Sequence, residues 1–221
     1  ERANAGWYRP AREALVLRRL VARHKGALPK LVVVRLWREL LGAAVRLQTD
    51  FKAAAVRTAE SSATFELARD HFGAAVPLLT CSTGGQAVAQ VSEGKASVAI
   101  LPLPQTDEAQ PWWTPLARQR EGGPRVVARL PFAANGRGAE AFVVAIGEAE
   151  PTGLDRTLLA IESTAPLSRA RLSAAITEVG LDAAFLVADK VAEQAGRSLR
   201  LADVAGYSRD DDERLARLKL A

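Results

Sequence analysis

The 221-residue sequence has no methionine, one cysteine, two histidines and few aromatic residues, which make up 5% of the chain. A lone Cys81 excludes an internal disulfide framework. With only His24 and His71 to draw on, a zinc site is short of ligands. No apolar run approaches the roughly 18 residues that a membrane span needs, and the N-terminus lacks the apolar core of a signal peptide. These absences together predict a soluble chain of a reducing cytoplasm with no metal, no cofactor and no membrane partner. The missing methionine, with an opening at Glu1-Arg2-Ala3-Asn4, leads us to expect further sequence upstream.

What is present is ordinary for a globular protein. Hydrophobic residues make up 48% and charged residues 25%, enough for one large domain or two small ones and too apolar for disorder. The net charge of +5 and pI near 9.8 concentrate between Arg2 and Arg46, in Arg9, Arg12, Arg18, Arg19, Arg23, Lys25, Lys30, Arg35 and Arg38. Clustered Arg on helices can follow a phosphate backbone, surround a small carboxylated metabolite through bidentate pairs, or form a solvated face. The turn from Lys25 to Pro29 is too long and proline-rich for a helix-turn-helix, which places the nucleic-acid reading last.

The texture changes along the chain. Ala11 to His24 and Lys30 to Gln48 read as two helices, with Pro10 acceptable in a first turn. The second carries an apolar stripe of Val33, Trp37, Leu40, Leu41 and Ala44, expected to be its buried face. From Phe51, strands and helices alternate: strands at Phe51–Val56, Val76–Cys81 and Ser97–Leu103 enclose helices at Thr64–Phe72 and Gly85–Ser92. This βαβαβ order predicts parallel pairing. Pro104 to Gly123 reads as loop. Two more strands, Arg125–Pro131 and Ala141–Ile146, flank Ala134-Asn135-Gly136-Arg137-Gly138. After a linker from Glu148 to Gly153, a βαββα order predicts a small ferredoxin-like α+β module. The overall class is α/β, with boundaries placed at 1–50, 51–147 and 148–221.

On the first helix, Arg9, Glu13, Val16, Leu17 and Leu20 share a face, so Glu13 heads an apolar stripe; Trp37, Leu41, Ala44 and Gln48 do the same on the second. A carboxylate or amide buried without partners costs on the order of 1–3 kcal/mol. Glu13 and Gln48 can therefore satisfy each other, or a neighbouring Arg, or serve a ligand. Elsewhere, Cys81-Ser82-Thr83-Gly84-Gly85-Gln86 follows a strand and opens a helix. Ser82, Thr83 and Gly84 can hold an anion there, or act as an ordinary N-cap, the reading we favour.

Arg9-Pro10-Ala11-Arg12-Glu13-Ala14-Leu15-Val16-Leu17-Arg18-Arg19-Leu20 resembles the second helix of all-helical chorismate mutases, and Trp37-Arg38-Glu39-Leu40-Leu41 running on to Leu47-Gln48 resembles the third. In that family an Arg-Glu pair on the second helix and a Gln on the third line the active site, and the matching positions are Arg12, Glu13 and Gln48. Ala44 stands where the family places a Ser, and Arg9 where it often has an acidic residue; both are carried over as substrate-binding positions. The resemblance implies a homodimer that rearranges the chorismate dianion to prephenate without a cofactor. Arg12 pairs with a carboxylate or ring-side oxygen, Glu13 accepts from the substrate hydroxyl, and Gln48 donates to the ether oxygen. The long first helix, which brings more Arg and Lys, is expected upstream of Glu1.

Phe65 to Phe72, Ala87 to Gly94 and Ala96 to Pro102 are similar to the first lobe of prephenate dehydratases, which implies a periplasmic-binding-protein-like fold. The functional motifs are eroded. Pro102-Leu103-Pro104-Gln105-Thr106 stands for Pro-Ile-Glu-Asn-Ser, and Glu140-Ala141-Phe142 for Thr-Arg-Phe. The last module resembles an ACT-type regulatory domain by element order and position, without its Gly-containing turn, which here is Thr164-Ala165-Pro166-Leu167-Ser168. The leading expectation is chorismate mutase, an isomerase. The alternatives are a non-enzymatic ligand-binding or regulatory protein of the same pathway and, after it, a prephenate dehydratase.

Overall fold

The computed structural model describes residues 8–105, 108, 110–118, 122–133, 138–164, 168–187 and 198–218, with side chains 184–187 and 198 left aside. Thr106 and the residues named in turns at 134–137 and 165–167 lie outside that set. In order, the elements are α1 (Pro10–Arg23), α2 (Lys30–Gln48), β1 (Ala53–Val56), α3 (Ala63–Phe72), β2 (Leu78–Cys81), α4 (Gly84–Ser92), β3 (Val98–Pro102), α5 (Trp113–Ala117), β4 (Pro124–Leu130), β5 (Ala141–Ile146), β6 (Arg156–Ser163), α6 (Arg169–Glu178), β7 (Ala183–Val187), β8 (Ser198–Ala205) and α7 (Glu213–Arg217). They fall into two compact units: α1 to α4 with β1 to β5, and α5 with β6 to β8, α6 and α7. The sequence boundary at 50/51 is therefore not a packing boundary, because α1 and α2 belong with the first sheet.

In the first unit the strand order is β2-β1-β3-β5-β4, with β1 parallel to both β2 and β3, and β5 antiparallel to β3 and β4. All four side chains of β1 are buried, as are the first four of β3, so these strands read as continuous apolar runs. Phe51, Leu67, Phe72, Val76, Val98, Ile100, Leu130 and Val143 form the core between sheet and helices.

Of the two leading helices, α2 lies on α3 and α1 packs against α2. At Gly42 an added Cβ would stand 2.0 Å from the Phe72 carbonyl oxygen, so α2 approaches backbone to backbone, and only glycine fits. Glu39 of α2 then caps the end of α3, its Oε2 accepting from the Ala74 amide at 2.8 Å. The consequence overturns one expectation. The buried positions of α2 are Arg38 and Gly42, while Trp37 and Leu40 of the apolar stripe are 36% and 60% exposed. α2 turns its small and charged side to α3, and its apolar side has no helix over it among the described residues.

In the second unit, β8 runs between β6 and β7 and antiparallel to both, with α6 connecting β6 to β7. Leu172 and Ile176 of α6 pack with Ala202 and Val204 of β8. Arg156 Nε donates to buried Asp203 Oδ1 at 2.7 Å across the β6–β8 pair. The acidic run at Asp210–Glu213 leads into α7, with Asp212 accepting from the Arg214 amide at 3.0 Å as its N-cap. The segment read as loop carries α5, anchored by Trp112 and Trp113, 2% and 3% exposed.

Candidate functional site

Where α1 and α2 meet α3, four polar side chains converge in an otherwise apolar setting. Tyr8 precedes α1, Glu13 sits in its first turn behind Pro10, Arg38 faces inward from α2, and His71 lies in the last turn of α3. Arg38 Nη1 donates to Glu13 Oε2 at 2.5 Å, with side chains only 4% and 14% exposed. Tyr8 Oη and His71 Nε2 share a hydrogen bond at 3.1 Å. Around them the rings pack: the Arg38 guanidinium lies 4.6 Å from the Phe132 centroid, His71 meets Phe132 edge-on at 4.9 Å, and Tyr8 lies 5.5 Å from Phe72.

The electrostatics follow from burial. Desolvation raises the Glu13 carboxyl above its ordinary value, while the charge and hydrogen bond of Arg38 pull it back. Burial, and then Arg38, hold His71 well below the usual imidazole range. Burial, and then Glu13, hold the Tyr8 phenol well above its own. Tyr8 and His71 are thus neutral near pH 7, and the cluster centres on one guanidinium–carboxylate pair. A buried Arg needs that counter-charge, since an uncompensated ion in such a place costs several kcal/mol. The void that Glu13, Arg38, Tyr8 and His71 line is about 10 Å³, far below metabolite size. Arg38 Nη2 is buried there without a hydrogen-bond partner among the described residues.

The structure parts the residues singled out from sequence. Glu13 is in this cluster, whereas Arg12, Ala44 and Gln48 are exposed and do not line it. Gln48 therefore does not stand on a buried face as its spacing predicts, because α2 docks through Arg38 and Gly42 instead. Arg9 is exposed and pairs with Glu150 at 2.6 Å. Of the partners open to Glu13, the neighbouring Arg is the one it takes. Like Arg12 and Gln48, several leucines of these two helices are exposed: Leu15, Leu36, Leu40 and Leu47 at 42%, 53%, 60% and 90%.

At the start of α4 the Thr83 hydroxyl accepts from the Gln86 amide at 3.2 Å, and the Ser82 amide and hydroxyl both donate to Gln86 Oε1 at 3.0 and 2.8 Å. With Gly84 opening the helix, these groups close on one another as an N-cap. Cys81 is buried. Among the described residues no three His, Cys, Asp or Glu side chains gather as a metal site requires, and no helix is long and apolar enough to cross a membrane. Sequence reasoning missed Tyr8 and the role of Arg38. The available signal was that Arg38 and Gly42 stand one turn apart, opposite the apolar stripe.

No protein-family profile matches the chain. Over 101 residues it is 32% identical to a bifunctional chorismate mutase/prephenate dehydratase of Neisseria gonorrhoeae, covering 46% of this chain and 28% of that protein. The like-named protein of Pseudomonas aeruginosa is 30% identical over 102 residues, with the same coverage. The match spans little more than a quarter of these relatives' length. Homology runs to their prephenate dehydratase region. Among solved structures, prephenate dehydratase from Arthrobacter aurescens in complex with L-Phe superposes with a TM-score of 0.53 at 13% identity, over 75% of this chain and 84% of that one. A protein described as a novel type of quorum-quenching acylase gives 0.56 at 17%, over 76% and 88%. At such identities the likeness shows a shared fold, the periplasmic-binding-protein-like fold of prephenate dehydratases.

Proposed function

We propose that this chain is a chorismate mutase of aromatic amino-acid biosynthesis, converting chorismate to prephenate as a homodimer, with the dehydratase-like sheet as scaffold and the last unit as an ACT-like module. The observation that carries the reading is the outward side of α1 and α2. Arg12 and Leu15 of α1 are exposed, as are Leu36, Leu40, Leu47 and Gln48 of α2, which is what half of a helical site closed by another helix would require. Desolvated in that way, Arg12 would hold a substrate carboxylate bidentately and Gln48 would donate to the ether oxygen as charge develops on it. Glu13, at the border between this side and the buried cluster, would accept from the substrate hydroxyl. The two bifunctional relatives, by name chorismate mutase/prephenate dehydratases, support the pathway. The eroded Pro102-Leu103-Pro104-Gln105 motif argues against dehydratase activity.

The test is loss of chorismate absorbance with the full-length gene product. We expect turnover that Glu13→Ala reduces severely; absence of turnover contradicts the reading. A second reading, a non-enzymatic ligand-binding or regulatory protein of the same pathway, is favoured by one observation: Glu13 already has a partner in Arg38. Calorimetric binding of chorismate, prephenate or L-phenylalanine without turnover would establish it.

A further inference from the structure

We propose that Arg38 is the positioning residue of this site: its buried guanidinium fixes the Glu13 carboxylate at the α1–α2 junction and keeps it an anion, able only to accept hydrogen bonds. The inference rests on the mutase reading for its role in turnover, and on geometry for the rest. Arg38 is 4% exposed, farther from water than any other arginine side chain described. One of its terminal nitrogens is committed to Glu13 at 2.5 Å. Its cationic plane lies on the Phe132 ring, which excludes water from that side and favours the charged state.

Among the described residues, Arg38 is the cation at contact distance from Glu13. Facing the pair are Tyr8 from the segment before α1 and His71 from α3, and they bond to each other. On its own helix, Arg12 points to solvent and Arg9 is paired with Glu150. Burial alone would favour a neutral Glu13, and a protonated carboxyl would offer a donor where the substrate hydroxyl needs an acceptor. The charge and hydrogen bond of Arg38 oppose that preference. Its second nitrogen, Nη2, has no hydrogen-bond partner among the described residues, so the fork has a donor in reserve and need not leave Glu13 when that carboxylate takes another hydrogen bond. This distinguishes a positioning group from an ion pair that merely fastens two helices.

The experiment is a carbon-13 NMR titration of the Glu13 carboxyl in the full-length protein, with Arg38→Gln and Arg38→Lys beside it. Arg38→Gln should move the Glu13 midpoint upward, and Arg38→Lys, which keeps the charge, should bring it back toward the parent value. In the enzyme assay, the acid limb of the kcat/KM profile should move upward in Arg38→Gln by the same interval. An unchanged Glu13 midpoint in Arg38→Gln overturns the proposal. Should that variant not fold, the parent protein decides: the Arg38 side-chain nitrogen-15 resonances should shift at the pH where Glu13 titrates, and a Glu13 transition without a response at Arg38 contradicts it. The carboxyl titration is read whether or not chorismate turns over, so failure of the mutase reading and failure of this inference are separate results.

Discussion

The two sides of α2 are built on opposite principles. Toward α3 it presents Arg38, Gly42 and Val45; away from it, Leu36, Leu40 and Leu47. The inward side carries a charge and a glycine yet is the buried one, because Gly42 lets the helix rest on the Phe72 carbonyl and Glu13 neutralises Arg38. The outward side is leucine-rich yet exposed. Hydrophobicity alone would have inverted the helix. Close backbone approach and one compensated ion pair decide its orientation within this chain, which leaves the apolar side to something else.

The largest effect should come from breaking the inward side at its charge. Arg38→Met leaves Glu13 buried without a partner, and urea denaturation should show a loss of about 3–5 kcal/mol; the paired replacement Glu13→Leu/Arg38→Met should recover much of it. Next, Gly42→Ala places a methyl carbon against the Phe72 carbonyl, and overpacking of this kind costs about 1–3 kcal/mol. A neutral result at Gly42 would mean that α2 does not sit on α3 as described.

A pH dependence sharpens the same comparison. His71 stays neutral when folded, held low by burial and Arg38, whereas in the unfolded chain it takes a proton near pH 6.5, roughly its ordinary value. Stability is therefore complete above about pH 6.5 and declines as pH falls below it, by at most about 1.4 kcal/mol per pH unit. Glu13, raised in the fold, works in the opposite sense: the folded chain binds its proton first, so acidification into its range adds stability. Denaturation curves at pH 7.5 and 5.5 should show the net loss in the parent chain and a smaller one in His71→Gln. The smallest effect belongs to the outward side. Leu47, 90% exposed, should tolerate Ala within about 0.5 kcal/mol while weakening the proposed self-association in sedimentation equilibrium; unaltered association would contradict a place for Leu47 in the proposed interface.

Much of the fold is legible from residue order. The alternation from Phe51 onward gives the parallel β1, β2 and β3, and β5 occupies the expected Ala141–Ile146. Short apolar runs suffice there because β1, β3 and β5 are buried along nearly their whole length. The orientation of α2 is not legible in the same way, since a stripe of Val33, Trp37 and Leu40 states only that one side is apolar and not which surface meets it. Nor is the partner of Glu13: Arg38 lies 25 residues away, and a pair across two helices leaves no spacing signal. The short α5 was hidden for a third reason. Pro111 and the polar residues near it read as loop, and Trp112 and Trp113 hold the turn by burial rather than by propensity.

The central claim is that the exposed side of α1 and α2 is the working side. Its most direct test is the chorismate turnover number of Gln48→Ala against the parent, both in full-length protein of verified stability. The account predicts a loss on the order of 10²–10³-fold with an unchanged unfolding midpoint, as for removal of one donor to a developing oxyanion. Turnover equal to the parent's would contradict it.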